Sequence, residues 1–185
     1  AGLAVASINA LQRFNDWTSD RAREAEQMFR YAAALGAPGI VMCPVTGANH
    51  GWSETELATK LRQSLRAIKA IASDIGVIGY VEPLGMVDST LRQQSIAAEA
   101  IADVDGAGPL QICYDTFQFY RARDVQLFPE LIGLVHVSGI HRTGLAPEQL
   151  TEADRGFVDD SDITGTLGQL QQIVAREYRG FVSME

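Results

Sequence analysis

Six short apolar runs, separated by longer amphipathic segments, limit this chain to a few architectures. The runs are Leu3–Ile8, Gly39–Cys43, Val77–Glu82, Leu110–Asp115, Ile132–Val137 and Phe181–Glu185. Each has strand length and is apolar on both parities, the pattern of parallel strands buried on both faces. The intervening segments carry helix signals. Ser19 precedes a stretch in which Met28, Tyr31, Ala32 and Leu35 share one helical face, and Gly36 supplies a stop. Ser53 and Glu56 form a capping box ahead of a helix that runs to about Ile75, closed by Gly76. Further helices are expected over Leu91 to about Val104, around Asp124–Leu131, and from Thr166 to about Tyr178.

Strict alternation of strand and helix leaves an open doubly wound sheet or a closed (β/α)8 barrel. The sheet alternative, if it bound a nucleotide, would carry a glycine-rich phosphate turn, and neither G-x-G-x-x-G nor G-x-x-x-x-G-K-[ST] occurs. Ionisable residues stand instead at the carboxyl ends of successive runs, where TIM barrels place their chemistry. A TIM barrel, as one domain over residues 1–185, is the expectation. Six runs are fewer than eight strands, and the chain opens and stops abruptly. The first two βα units and the last helix are therefore expected to lie outside it.

Composition removes several function classes. Of 185 residues, 46% are hydrophobic and the formal net charge is −8, which argues against nucleic acid or an anionic membrane as the partner. No apolar stretch reaches the roughly 20 residues a bilayer span needs, and no signal-peptide pattern opens the sequence. Cys43 and Cys113 lie inside apolar runs and read as buried free thiols of a cytoplasmic protein.

The last four runs end in chemistry. Glu82, Asp115 and Glu185 each close a run, and His136 lies near the end of another. Projecting toward a common barrel axis, three carboxylates would repel one another and lose solvent; they need a cation, or one must stay protonated. With a histidine beside them they make a hard N/O donor set suited to Mn²⁺, Mg²⁺, Co²⁺ or Zn²⁺.

These segments, namely Glu82-Pro83-Leu84-Gly85, Asp115-Thr116-Phe117, His136 with Arg142 six residues on, and Val182-Ser183-Met184-Glu185, resemble the signature segments of the xylose-isomerase-like barrel superfamily. Ala6–Asn15, Leu150–Arg155 and Phe181–Glu185 look most like its keto-inositol isomerase branch. The resemblance implies one divalent metal on Glu82, Asp115, His136 and Glu185. It implies that Glu82 and Glu185 also transfer protons and that Arg142 contacts substrate oxygens. The substrate would be a sugar or cyclitol ketone, isomerised or epimerised through an enediolate. Two departures stand out. The family's D-x-F-H ends here in Gln118, which can hydrogen-bond a hydroxyl but cannot act as a general acid. Its P-G-x-G-x-I-D loop reads here Val158–Thr164, without the glycines.

Other residues have secondary places. His50 and Trp52, in the loop after Gly39–Cys43, are expected to line the sugar pocket or simply to pack and solvate that loop. Arg13, Asn15 and Trp17 follow the first run, and His141 adjoins Arg142; all are weaker candidates for substrate contact. The acidic run Asp159–Asp162 lacks EF-hand spacing and reads as a solvated loop. A dehydratase acting on a similar ketone, a three-metal DNA-repair enzyme and a non-catalytic sugar-binding barrel are the alternatives. The first shares the initial proton abstraction; the acidic balance and scarce histidines oppose the second; all four ligand types oppose the third. The oligomeric state is open, a homo-oligomer included.

Overall fold

The computed structural model describes residues 2–185. Six strands form one parallel sheet: β1 (Ile8–Gln12), β2 (Gly39–Cys43), β3 (Ile78–Val81), β4 (Leu110–Asp115), β5 (Ile132–Val137) and β8 (Phe181–Met184). They pair in the order β1-β2-β3-β4-β5-β8, every neighbour parallel. Two dipeptides, β6 (Gly139–Ile140) and β7 (Arg155–Gly156), make a separate antiparallel pair. The helices are α1 (Ser19–Leu35), α2 (Glu54–Ile75), α3 (Gln94–Asp103), α4 (Thr116–Arg121) and α5 (Thr166–Ala175). This is the helix-flanked parallel sheet of a TIM barrel, present here as a six-stranded arc.

Strand parity divides the core. Ile40 and Met42 of β2 and Val81 of β3 join the large cluster beneath α1, α2 and α3. Val41, Cys43, Tyr80, Cys113 and Leu134 form a smaller cluster of their own. Since successive side chains leave a strand on opposite faces, the smaller set lines the face turned away from those helices. Residues two positions beyond its members must emerge on that same face. Tyr80 leads to Glu82, Cys113 to Asp115 and Leu134 to His136.

Several sequence expectations move. The first strand is Ile8–Gln12 rather than Leu3–Ile8; Leu11 pairs with Met42 and is fully buried, whereas Leu3 is exposed. The small alanines of the earlier run offer little area to bury, so the pairing that buries Leu11 wins. Thr18, not Ser19, caps α1, its hydroxyl accepting from the Arg21 amide. That helix buries Ala25, Phe29 and Ala32 and leaves Tyr31 and Leu35 exposed. The helix α3 starts at Gln94 rather than Leu91. No helix surrounds Asp124–Leu131; α4 begins directly after β4, and only a 3-10 turn occupies Pro129–Leu131. Asp124 accepts instead from the Gln94 amide at 2.8 Å. The Ser53–Glu56 capping box and the left-handed stops at Gly36 and Gly76 are as expected. No described helix is long and apolar enough to cross a membrane.

Candidate metal centre

Four strands deliver four ligand-type side chains to one place. Asp115 closes β4 and pairs in register with His136 on β5, which in turn faces Ser183 on β8, two residues before Glu185. Glu82 directly follows β3. The donor atoms of Glu82, Asp115, His136 and Glu185 all lie within 4.8 Å of one another. Glu82, Asp115 and His136 are buried, while the Glu185 side chain is 36% exposed.

The cluster is held from several sides. His136 Nδ1 lies 3.1 Å from Glu82 Oε1 and 2.7 Å from Glu185 Oε2. The Cys43 thiol donates to Glu82 Oε2 at 3.3 Å, with the Cys113 thiol 3.8 Å from Oε1. Both cysteines are buried and free, and burial together with the neighbouring Glu82 charge pushes their titration up. Asp115 Oδ1 accepts from the Gln118 amide at 2.7 Å and so caps α4. The candidate ligand and the cap are one carboxylate.

Charge is unevenly distributed. Burial pushes Asp115 up to about 7 despite the opposing Arg155 charge, and Glu82 adds to the rise. Burial opposes an imidazolium at His136, yet hydrogen bonds to Glu185 and Glu82 and their charges outweigh it, raising the group to about 10. Burial likewise disfavours a charged Glu185, but His136, Asp115 and Arg155 hold it down to about 2. Three carboxylates and an imidazole at this spacing are a donor set that fits a hard or borderline divalent cation.

Sequence reasoning gave no role to Arg155, and the structure places it on the cluster. From β7 its Nη1 donates to Asp115 Oδ2 at 3.0 Å and Ser138 Oγ at 2.8 Å, and its Nε donates to Glu152 Oε2 at 2.6 Å. The guanidinium also stacks over Phe117, 4.9 Å from the ring centre. A buried arginine in a loop has no sequence signature that separates it from a solvated one; its place in the Leu150–Arg155 turn was the only pointer.

The remaining candidates sit around this centre. Arg142 is exposed and pairs with Asp154 at 3.0 Å rather than reaching the four donors. Gln118 is buried with both ends of its amide committed: Oε1 accepts from the Gly85 amide and Nε2 donates to Glu152. His50 lies in a 3-10 turn after β2, its Nδ1 accepting from the Trp52 amide, and Lys60 covers the Trp52 ring at 4.5 Å. Asn15 is buried and stitches loops together, donating to Thr90 and accepting from the Val45 amide. Arg13 is occupied by Asp16, and Trp17 packs against the main core. His141 ties the following loop through Ser161 and the Phe157 carbonyl. Within Asp159–Asp162, Asp162 is a loop organiser that accepts from the Ile140, Thr164 and Thr166 amides. A cavity of about 480 Å³, lined by Glu152, Arg155, Gly156, Phe157, Met184 and Glu185, opens beside the cluster.

Comparison with known proteins places the architecture. A xylose isomerase domain containing protein from Salmonella typhimurium LT2 is 27% identical, with a TM-score of 0.83 over 100% of this chain and 67% of its own. The IolI protein with a bound zinc atom is 19% identical, TM-score 0.87, over 98% of this chain and 67% of its own. The apo 3-keto-D-glucoside 4-epimerase YcjR of E. coli is 19% identical, TM-score 0.71, over 100% and 72%. At such identities the last two likenesses speak for the fold. This chain thus spans about two thirds of the length of these structures. No curated protein matches it. A family model described as xylose isomerase-like TIM barrel matches residues 1–185, and the chain belongs to that family.

Proposed function

We propose that this chain carries the centre of a divalent-metal-dependent isomerase or epimerase that acts on a keto-sugar or keto-inositol by proton transfer. The observation that supports it is the convergence of Glu82, Asp115, His136 and Glu185, from four neighbouring strands, with their donor atoms within 4.8 Å. These four residues would hold one ion, Mn²⁺, Zn²⁺, Co²⁺ or Mg²⁺. A bound divalent ion would supply a Lewis acid for the substrate's carbonyl and adjacent hydroxyl oxygens. The epimerase activity named for YcjR and the zinc in IolI are in keeping with this reading.

The chain's own groups handle the proton. Glu82 is dry and braced by two thiols and His136, so it can take a proton at one fixed position beside the carbonyl. Glu185, partly exposed on the cavity, can return a proton and exchange it with water. Arg142, on the loop after β6, is assigned to substrate oxygens, a contact that requires it to leave Asp154. Gln118 is assigned to the wall of the site, where it fixes Gly85 and Glu152. His50 and Trp52, on the loop that follows the carboxyl end of β2, are assigned to the same rim.

The test uses the full-length protein. Its metal content is measured first, and inososes and ketohexoses are then turned over in D₂O. An isomer or epimer with deuterium on the carbon next to the carbonyl is expected. Glu82→Gln and Glu185→Gln should each lower kcat by about 10²–10⁴-fold, with further loss where metal is released. Full activity after chelation, or no solvent deuterium in a single turnover, would sink the proposal. A product lighter by one water would move the assignment to a dehydratase.

A further inference from the structure

The charge of the four-donor cluster changes once Arg155 is counted with it. In the metal-loaded state, with His136 neutral and every carboxylate ionised, Glu82, Asp115, Glu185 and Glu152 bring four negative charges, and Arg155 and Arg121, which share Glu152, bring two positive, so the net is two negative. The guanidinium is no casual neighbour. Its side chain is only 11% exposed, and it is fixed by Asp115, Ser138 and Glu152 and by the Phe117 ring. Its second terminal nitrogen lies 3.9 Å from Glu185. Two of the three carboxylates therefore face the same buried cation.

We infer that Arg155 is the positioning residue that sets the valence of this centre: it offsets one charge of a three-carboxylate cage, so that a divalent ion leaves the loaded cluster neutral. The inference rests on the metal-centre reading above and adds to it which ions the cage selects. In a poorly solvated site an uncompensated charge is costly, so affinity follows the match between ion and cage. A cage of three negative charges matches a trivalent ion. A cage of two matches a divalent one. The competing role for Arg155 is purely mechanical, tying the β6–β7 pair to the sheet. Loss of such a tie would weaken ions of either valence together.

The full-length protein, stripped of metal, is compared with Arg155→Met and Arg155→Lys. Methionine keeps much of the stem against Phe117 and removes the charge; lysine keeps the charge and loses the fork. The measurement is competition of Mn²⁺ against Tb³⁺, followed by terbium luminescence, with melting temperature recorded alongside. The ratio of Tb³⁺ to Mn²⁺ affinity should rise about tenfold or more in Arg155→Met, the size expected for one unit charge a few ångströms away at intermediate dielectric. In Arg155→Lys it should stay within about threefold of the unchanged protein. Should the methionine variant fail to fold, Arg155→Gln, polar but uncharged, takes its place with the same expected rise. An unchanged ratio in a folded uncharged variant, or equal loss of both ions, overturns the inference. If the unchanged protein binds neither ion, the metal-centre reading itself falls, and this inference with it.

Discussion

His136 presents one ring nitrogen to two carboxylates, 3.1 Å from Glu82 and 2.7 Å from Glu185, and this arrangement governs how the metal-free protein responds to pH. Its folded value near 10 exceeds the ordinary 6.5, so the stability it contributes is complete below about 6.5 and is lost as pH rises through about 10. Glu185 behaves in the opposite sense. Held near 2 against an ordinary 4.5, it contributes fully above about 4.5 and loses that contribution as pH falls toward 2. Asp115 is raised from 3.8 to about 7, so the cost of burying its charge grows as pH rises between those values. The melting temperature of chelated full-length protein should therefore be highest near about pH 4, where the Glu185 contribution is nearly complete and the Asp115 cost is still small, and should decline from there through about pH 7 and on toward 10. His136→Gln should flatten the decline toward pH 10. An alkaline limb that is equally steep in that variant would show that His136 does not carry it.

At the scale of elements, the β6–β7 pair explains how a loop arginine comes to rest on a strand-borne carboxylate. Gly139 pairs with Gly156, and Ile140 with Arg155, so the two dipeptides hold the loop return against the end of β5. A side chain at Gly139 would drive its Cβ into the Phe157 carbonyl oxygen and bring it to 3.1 Å from the Val158 Cα, both backbone atoms that cannot swing aside. Gly139→Ala should therefore cost about 1–3 kcal/mol, the usual range for overpacking. It should also draw Arg155 off Asp115 and lower kcat. Thermal melting with kinetics checks both, and wild-type activity would show that the hairpin does not position Arg155. The sequence made some elements legible and not others, for physical reasons. The strands β2, β4 and β5 stand where the apolar runs stand, because burial on both faces demands uninterrupted apolar residues. In α1 two apolar sets share helical spacing and contain Ala32, so periodicity shows a helix without choosing its face. The helix α4 is hard to see in the sequence because Asp115 both closes β4 and caps the helix, so no linker separates the two, and the helix is only six residues long. The four donors were legible from their position at run ends. Arg155 was not, since only tertiary packing tells a buried loop arginine from a solvated one.

Over the whole molecule, the centre draws on residues from Glu82 to Glu185, so it exists only when β3, β4, β5 and β8 lie in register. No short segment contains more than one of the four donors. An unfolded chain therefore offers a divalent ion no comparable site, and an ion that binds the four donors would stabilise the folded state by mass action. With free metal at a hundred times its dissociation constant the gain is about 2.7 kcal/mol. For a protein of this order of size that corresponds to roughly 5–10 °C in Tm. Chelation of the full-length protein should lower Tm by that amount, and added Mn²⁺ or Zn²⁺ should restore it. Asp115→Asn isolates the cause. Asparagine still caps a helix well, so α4 keeps its start, but the anionic donor is gone and the metal-dependent part of the shift should vanish. The same variant also separates ligand loss from general damage, because its melting temperature in chelator should lie near that of the chelated unchanged protein. A Tm indifferent to chelation, or a full metal-dependent shift surviving in Asp115→Asn, would mean that the four side chains converge without serving as a metal site.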